Sequence, residues 1–82
     1  MPWKTIDARS QKGIRVSFKN GKVEDFVHAG GIKFSAQVWQ AEYLADKSDG
    51  QLEVGYWDSK GNWQTQASFP PGSYAFVRAI TN

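Results

Sequence analysis

The sequence predicts an all-β fold, a small antiparallel meander of five or six strands that closes into a barrel or a rolled sheet. Three observations predict it: short segments in which apolar and polar residues alternate, turn-forming Gly, Asn, Asp and Pro between them, and a high aromatic content. The four Trp, three Tyr and five Phe can bury about 150–250 Å² each. They compensate for the small core of an 82-residue chain without cysteine, which we take as one domain spanning residues 1–82.

Residues 14–18 alternate between apolar and polar side chains, as in a half-buried strand. Asn20-Gly21 follows, a dipeptide typical of a two-residue hairpin loop because both positions tolerate positive φ. A two-residue loop places Phe18 opposite Val23 and Ile14 opposite Val27. These four residues then form one apolar face of the first hairpin.

Residues 35–45 have two interpretations. Ala, Gln, Glu and Leu favour a helix capped by Ser35, but the apolar residues scatter around a helical projection instead of forming one stripe. A strand with one β-bulge near Val38 and Trp39 restores the alternation of polar and apolar residues. We therefore expect a strand with Trp39 in the core at the bulge, and keep a short helix at 35–45 as the alternative.

The second hairpin carries the most distinctive pattern of the chain. If Ser59, Lys60 and Gly61 form its loop, Trp57 lies directly opposite Trp63. This register divides the two arms into a face that holds both Trp residues with Glu53, Gly55, Thr65, Ala67 and Phe69, and a face that holds Leu52, Val54 and Tyr56.

Neither face of this hairpin is purely apolar, so the two indoles either fill the core or form an exposed platform. The register favours at least one exposed indole, with Gly55 beside the pair leaving a gap for a flat ligand. A proline–proline–glycine turn at residues 70–72 then leads into a closing strand, Tyr74–Ile80.

The charge balance is mildly basic, with ten Lys and Arg against eight Asp and Glu, a net charge of +2 and a pI near 9.0. Aromatic residues combined with basic ones are typical of surfaces that bind single-stranded DNA or RNA. The first hypothesis is therefore a non-enzymatic binding module, with Trp57, Trp63 and Tyr56 stacking on bases and Arg15, Lys19 and Lys60 contacting phosphates.

Two further functions fit the same pattern. A carbohydrate-binding module stacks sugars on indoles, and a small protein-interaction or inhibitor module of a phage or another mobile element uses Trp, Tyr and Arg as anchors. A sheet edge could also pair two copies of the chain in a homo-oligomer.

The residues do not suggest catalysis. His28 is the only histidine, no spacing suggests a metal site or a cofactor site, and Gly30-Gly31 lacks the strand and helix context of a phosphate-binding loop. The expectation is a protein that is not an enzyme. Neither a signal peptide nor a run of apolar residues of membrane-spanning length is present, so we expect a cytoplasmic protein without membrane contact.

Two short stretches resemble known families. Residues 14–16 with 20–24, and later Tyr56-Trp57-Asp58 with Gly61 and Trp63, resemble strand phrases of bacterial and fungal fucose-binding propeller lectins. That resemblance implies a sugar held by Arg15, Glu53 and a Trp. Residues 71–74 are similar to a turn of filamentous-phage single-stranded-DNA-binding proteins. Nothing repeats along this chain, and no family is assigned.

Overall fold

The computed structural model describes residues 3–39 and 50–81, and within them the chain forms seven antiparallel strands and no helix. The strands form a four-stranded sheet in the order β1-β4-β5-β6 and a three-stranded sheet in the order β3-β2-β7. The all-β antiparallel prediction is confirmed, but the two sheets stay open and do not close into a barrel. The strands are β1 Trp3–Ile6, β2 Gly13–Phe18, β3 Val23–Val27, β4 Ser35–Trp39, β5 Leu52–Trp57, β6 Trp63–Phe69 and β7 Tyr74–Ile80.

The core lies between the facing surfaces of the two sheets. The three-stranded sheet contributes Ile14 and Val16, and Tyr74 is buried with them. The hydroxyl of Tyr74 donates a hydrogen bond to the backbone oxygen of Gly50 at 2.7 Å, so the phenol is buried without losing a polar partner. From the four-stranded sheet come Ala36, Val38, Leu52 and Val54, all at most 1 % exposed.

The strand β1 was not predicted from the sequence. Its four residues read apolar, polar, polar, apolar, so they do not show the alternation by which the other strands are recognised. It is paired with β4, with Trp3 opposite Trp39, and gains its order from that partner.

The expectation for Trp39 is wrong. The strand β4 pairs with β5 without a bulge, and the Trp39 N–H continues the pairing by donating to the Gln51 carbonyl at 2.7 Å. Because Val38 points into the core, the side chain of Trp39 points outward, where it is 41 % exposed and packs against Trp3 with ring centroids 5.2 Å apart. The remainder of the 35–45 segment, residues 40–45, lies outside the described residues.

The first hairpin has a different register from the predicted one. The Phe18 N–H donates to the Lys22 carbonyl and the Gly21 N–H to the Phe18 carbonyl, so the loop has three residues rather than two. Gly21 takes the left-handed conformation at φ 88° that such a loop requires. The shift turns Val23 and Val27 outward, to 53 % and 56 % exposure. It places Phe26 opposite Ile14 and Asp25 opposite Arg15.

The second hairpin has the predicted loop, with Trp57 opposite Trp63. Further along the pair the register shifts between Val54 and Gly55, because Gln66 is an extra residue on β6. Beyond this bulge, each side chain of β6 points to the opposite face from the one that an unbulged register assigns to it. Ala67 and Phe69, which the unbulged register assigned to the Trp face, therefore lie on the core side opposite Val54 and Leu52.

The bulge also changes the interpretation of Gly55. A Cβ atom at Gly55 would lie 2.1 Å from the backbone oxygen of Gln64, so no side chain fits there. The predicted gap for a ligand at Gly55 is instead filled by the backbone of β6.

Candidate functional site

All four tryptophans lie on the outer face of the four-stranded sheet. Trp57 and Trp63 form one pair, half-buried, with ring centroids 5.0 Å apart and an interplanar angle of 66°. Trp3 and Trp39 form a second pair at the other end of β4 and β5. Register thus decides whether the indoles fill the core or form an exposed platform. The strand β5 points Leu52 and Val54 into the core, so the indoles of Trp57 and Trp63 lie on the outer face.

Polar contacts hold the Trp57–Trp63 pair in place. A single oxygen of Glu53 accepts hydrogen bonds from the indole N–H of Trp63 at 3.1 Å and from the hydroxyl of Thr65 at 3.0 Å. On the other indole, the guanidinium carbon of Arg9 lies 4.6 Å from the ring centroid of Trp57, a cation–π contact. The pair therefore has a defined orientation before any ligand arrives.

Arg9 is itself oriented by Asp7. Its Nε and Nη2 donate to the two carboxylate oxygens of Asp7 at 3.0 and 2.7 Å. These hydrogen bonds from Arg9 lower the pKa of Asp7 to about 2. The loop after β1 thus presents a guanidinium at a fixed position over the indole of Trp57.

The turn beside the Trp pair is organised by Asp58. One of its carboxylate oxygens accepts the backbone N–H groups of Lys60 and Asn62, both at 2.9 Å, and the other accepts the side-chain amide of Gln64 at 3.1 Å. The hydrogen bond from Asn62 contributes most to lowering the pKa of Asp58. Asp58 therefore serves the turn rather than a ligand.

A groove of about 880 Å³ opens beside this hairpin. Its walls come from the hairpin, from the loop after β1 and from the connection between β3 and β4. Aromatic rings, cations and bare backbone meet in it: Tyr56 and Trp57, Arg9 and Lys33, and Gly30-Gly31. Both glycines have positive φ, 59° and 82°, a conformation that favours glycine over residues with a Cβ.

His28 fixes the wall of this groove. Its Nδ1 accepts the backbone N–H of Phe34 at 3.0 Å, and its Nε2 lies 2.8 Å from the carbonyl of Ala8. An acceptor at Nδ1 and a carbonyl at Nε2 require the neutral tautomer with hydrogen on Nε2. One imidazole thus ties the loop after β1 to both ends of the β3–β4 connection.

The structure brings together only part of the predicted binding residues. Trp57 and Trp63 are neighbours, Tyr56 reaches the groove from the opposite face of β5, and Lys60 lies in the turn between the arms. Arg15 and Lys19 belong to the first hairpin, in the three-stranded sheet, so they lie apart from the Trp pair.

Arg15 is also engaged by a partner of its own. It donates two hydrogen bonds to the carboxylate of Asp25, at 2.8 and 2.9 Å. The trio that the lectin resemblance implies is not assembled either. Glu53 binds Trp63 on one sheet, and Arg15 lies on the other.

Arg9 and Lys33 are groove residues that were not among the predicted binding residues. Each lies in a loop, more than 20 positions from Tyr56 and Trp57, and no local pattern reports such a distant contact. The only usable signal was Gly30-Gly31, which marks a connection whose backbone is free of side chains.

Within the described residues, no three His, Asp or Glu side chains cluster in the way a metal site requires. The same part of the chain contains no helix long and apolar enough to cross a membrane.

Comparison of the chain with models of known protein families, with curated proteins and with solved structures finds no significant match, so the site is interpreted from its own geometry.

Proposed function

We propose that the protein is a non-enzymatic binding module that holds single-stranded nucleic acid in the groove beside the Trp57–Trp63 hairpin. The observation that carries the proposal is the meeting of Tyr56 and Trp57 with Arg9 and Lys33 in one groove. Base stacking on aromatic rings combined with phosphate contacts from cations is how proteins bind single strands without reading their sequence.

The aromatic contribution comes from two strand residues whose positions are set by the sheet. Tyr56 packs edge-on against Phe34, with ring centroids 6.3 Å apart, and Trp57 is held by Trp63 and Arg9. Rings fixed in this way lose little conformational freedom when a base stacks on them. The Arg9 guanidinium is a further planar group on which a base can stack.

The cationic contribution differs from the one expected from the sequence. Lys33 lies on the groove wall and Lys60 in the hairpin turn, both exposed. Together with Arg9 they replace Arg15 and Lys19 as the phosphate-binding candidates. The guanidinium of Arg9 is already paired with Asp7, so Lys33 is expected to carry the larger share of the salt dependence.

Titration of the Trp fluorescence with an oligothymidylate of about eight nucleotides, a length within the usual site size, tests this proposal. We expect quenching and an affinity that falls as salt is added. Trp57→Ala should weaken binding by about 5- to 150-fold, the equivalent of one stacked base. Lys33→Ala should reduce the slope of log K against log [salt] by about one.

Arg15→Ala is the control, since it removes a cation that lies on the other sheet. It should leave the affinity unchanged. Binding that does not respond to salt, or that Arg15→Ala weakens as much as Lys33→Ala does, contradicts the groove as the binding site.

Carbohydrate binding is the second candidate, and the outer face of the four-stranded sheet favours it. The two Trp pairs lie at opposite ends of β4 and β5, with the polar side chains of Gln37 and Glu53 opposite each other between them. Indoles stack on sugar rings, and the oxygens of amide and carboxylate groups accept hydrogen bonds from the sugar hydroxyls. A glycan array that yields salt-insensitive ligands, lost in Trp39→Ala as well as in Trp57→Ala, would favour this function over the first.

A further inference from the structure

Within residues 3–39 and 50–81, the two open sheets have four edge strands, β1 and β6 in one sheet and β3 and β7 in the other. Proteins protect such edges with short strands, charges or bulges. The strand β1 has four residues, β3 carries Glu24-Asp25, and β6 is interrupted by the bulge at Gln66. The strand β7 has seven residues, YAFVRAI, with one charge and no proline, and its register is irregular only near Tyr74.

Among the described residues, no strand pairs with the outer side of β7. The backbone N–H and C=O of Phe18, at the end of β2, form their hydrogen bonds with Lys22 and Gly21 of the first hairpin, so they point away from β7. Because successive residues of a strand point their backbone groups to alternate sides, Arg15 and Ser17 bond to β7, through Arg78 and Phe76. Val77 and Ala79, which lie in the regular part of the pairing, therefore direct their N–H and C=O groups away from β2, and no strand of the described residues pairs with them.

The side chains of this edge are complementary to themselves. Phe76 is 46 % exposed, and Arg78, also exposed, lies on the same face with its guanidinium carbon 5.4 Å from the Phe76 ring. In an antiparallel, two-fold pairing of two β7 strands centred on Val77, Phe76 of each copy lies directly opposite Arg78 of the other. That register forms two intermolecular cation–π contacts and joins the outward-facing backbone groups of Val77.

Neighbouring registers are less favourable. A pairing centred on Arg78 brings the two guanidinium groups together, which is repulsive. A pairing centred on Phe76 stacks the two phenyl rings but places Arg78 opposite Tyr74, whose ring is buried in the core and does not face it. The Val77-centred register also overlaps all seven residues of the strand.

We propose that β7 is the interface of a two-fold symmetric dimer of this chain, in which the two three-stranded sheets form one continuous sheet of six strands. A two-fold interface uses the same patch on both copies, as this pairing does. The Trp pairs lie on the other sheet, and no residue of β7 lines the groove, so the dimer presents two copies of that groove. The inference is independent of the ligand proposed above.

Sedimentation velocity across a wide concentration range tests the dimer, with far-UV circular dichroism to verify that each variant is folded. The wild-type chain should show a concentration-dependent monomer–dimer equilibrium. Phe76→Lys should raise the dimer dissociation constant by at least about tenfold, because two cation–π contacts become two like-charge contacts.

The double variant F76K/R78E should restore the dimer, since the introduced lysine of each copy then faces the introduced glutamate of the other, and this dimer should weaken as salt is added. In the Phe76-centred register the same variant brings two lysines together and stays monomeric. Arg78→Glu is compatible with the fold because Arg78 lies opposite Arg15 on β2 and the change removes a like-charge pair.

Val23→Lys is the matched control. Val23 is 53 % exposed on the outer face of the same sheet, but it lies on β3, the edge away from β7. It should leave the equilibrium unchanged. A wild-type chain that is monomeric at every concentration, a folded F76K/R78E that stays monomeric, or a Val23→Lys that dissociates the dimer as strongly as Phe76→Lys overturns the proposal.

Discussion

Replacing His28 tests whether one imidazole fixes the wall of the groove. His28→Ala removes the hydrogen bond from the Phe34 N–H and the one to the Ala8 carbonyl, and leaves both backbone groups without that partner. Since a hydrogen bond contributes about 0.5–1.5 kcal/mol net, the two together amount to about 1–3 kcal/mol of unfolding free energy. For a domain of this size a loss of about 2 kcal/mol lowers Tm by about 8–16 °C.

Two conservative variants separate the contributions. His28→Asn keeps an oxygen near the position of Nδ1 and loses the bond to Ala8. His28→Gln keeps a donor near Nε2 and loses the bond from Phe34. Each should cost about half of the loss in His28→Ala, about 1 kcal/mol.

Urea unfolding followed by Trp fluorescence measures these differences, with an unchanged m-value indicating that the folded state keeps its compactness. Lys33→Ala, at an exposed position of the same connection, is the control and should stay within about 0.5 kcal/mol of the wild type. The reasoning is refuted if His28→Ala is as stable as that control, or if nitrogen chemical shifts place the imidazole hydrogen on Nδ1.

Three further changes probe the fold and its response to acid. Gly55→Ala should destabilise by about 1–3 kcal/mol, because the added Cβ meets the backbone of Gln64 and the bulge must open; urea unfolding measures it. Phe69→Ala, which removes a half-buried ring 5.5 Å from that of Phe18, should cost about 2–3 kcal/mol, somewhat less than a fully buried Phe, in the same assay. The pKa of Asp7 is lowered from 3.8 to about 2, and that of Asp58 is lowered too, so the stability they contribute is present above about pH 4 and lost as the pH falls toward 2. Thermal melts between pH 7 and pH 2 should show this loss, and it should be smaller in Asp58→Asn; a profile that rises on acidification contradicts it.

The two hairpins differ in how well the local sequence predicts their loop length and register. The loop at residues 59–61 was predicted correctly because Asp58, Gly61 and Asn62 all favour one turn, and the opposition of Trp57 to Trp63 followed from its length. The first hairpin was predicted one residue out of register. Asn20-Gly21 is compatible with loops of two and of three residues, and the packing of Phe26 against Phe34 and Phe69 favours the longer one.

The local sequence predicts only part of the candidate site. The sequence predicts the grouping of Tyr56, Trp57, Trp63 and Lys60, because these residues lie close together along the chain. For Arg15 and Lys19 the only local indication is their charge, and they lie in the other sheet.

The sequence by itself determined the all-β class, the positions of five strands with a sixth favoured at residues 35–45, and the pairing of the two indoles, because alternation and turn chemistry act over a few neighbouring residues. Only the tertiary structure decided which face of each strand is buried, since one extra residue in a loop or a bulge moves every later side chain of the strand to the other face of the sheet. It also decided that Arg9 and Lys33 converge on the hairpin and that His28 joins the two loops that carry them, because such contacts depend on how the two sheets pack and leave no local pattern in the chain.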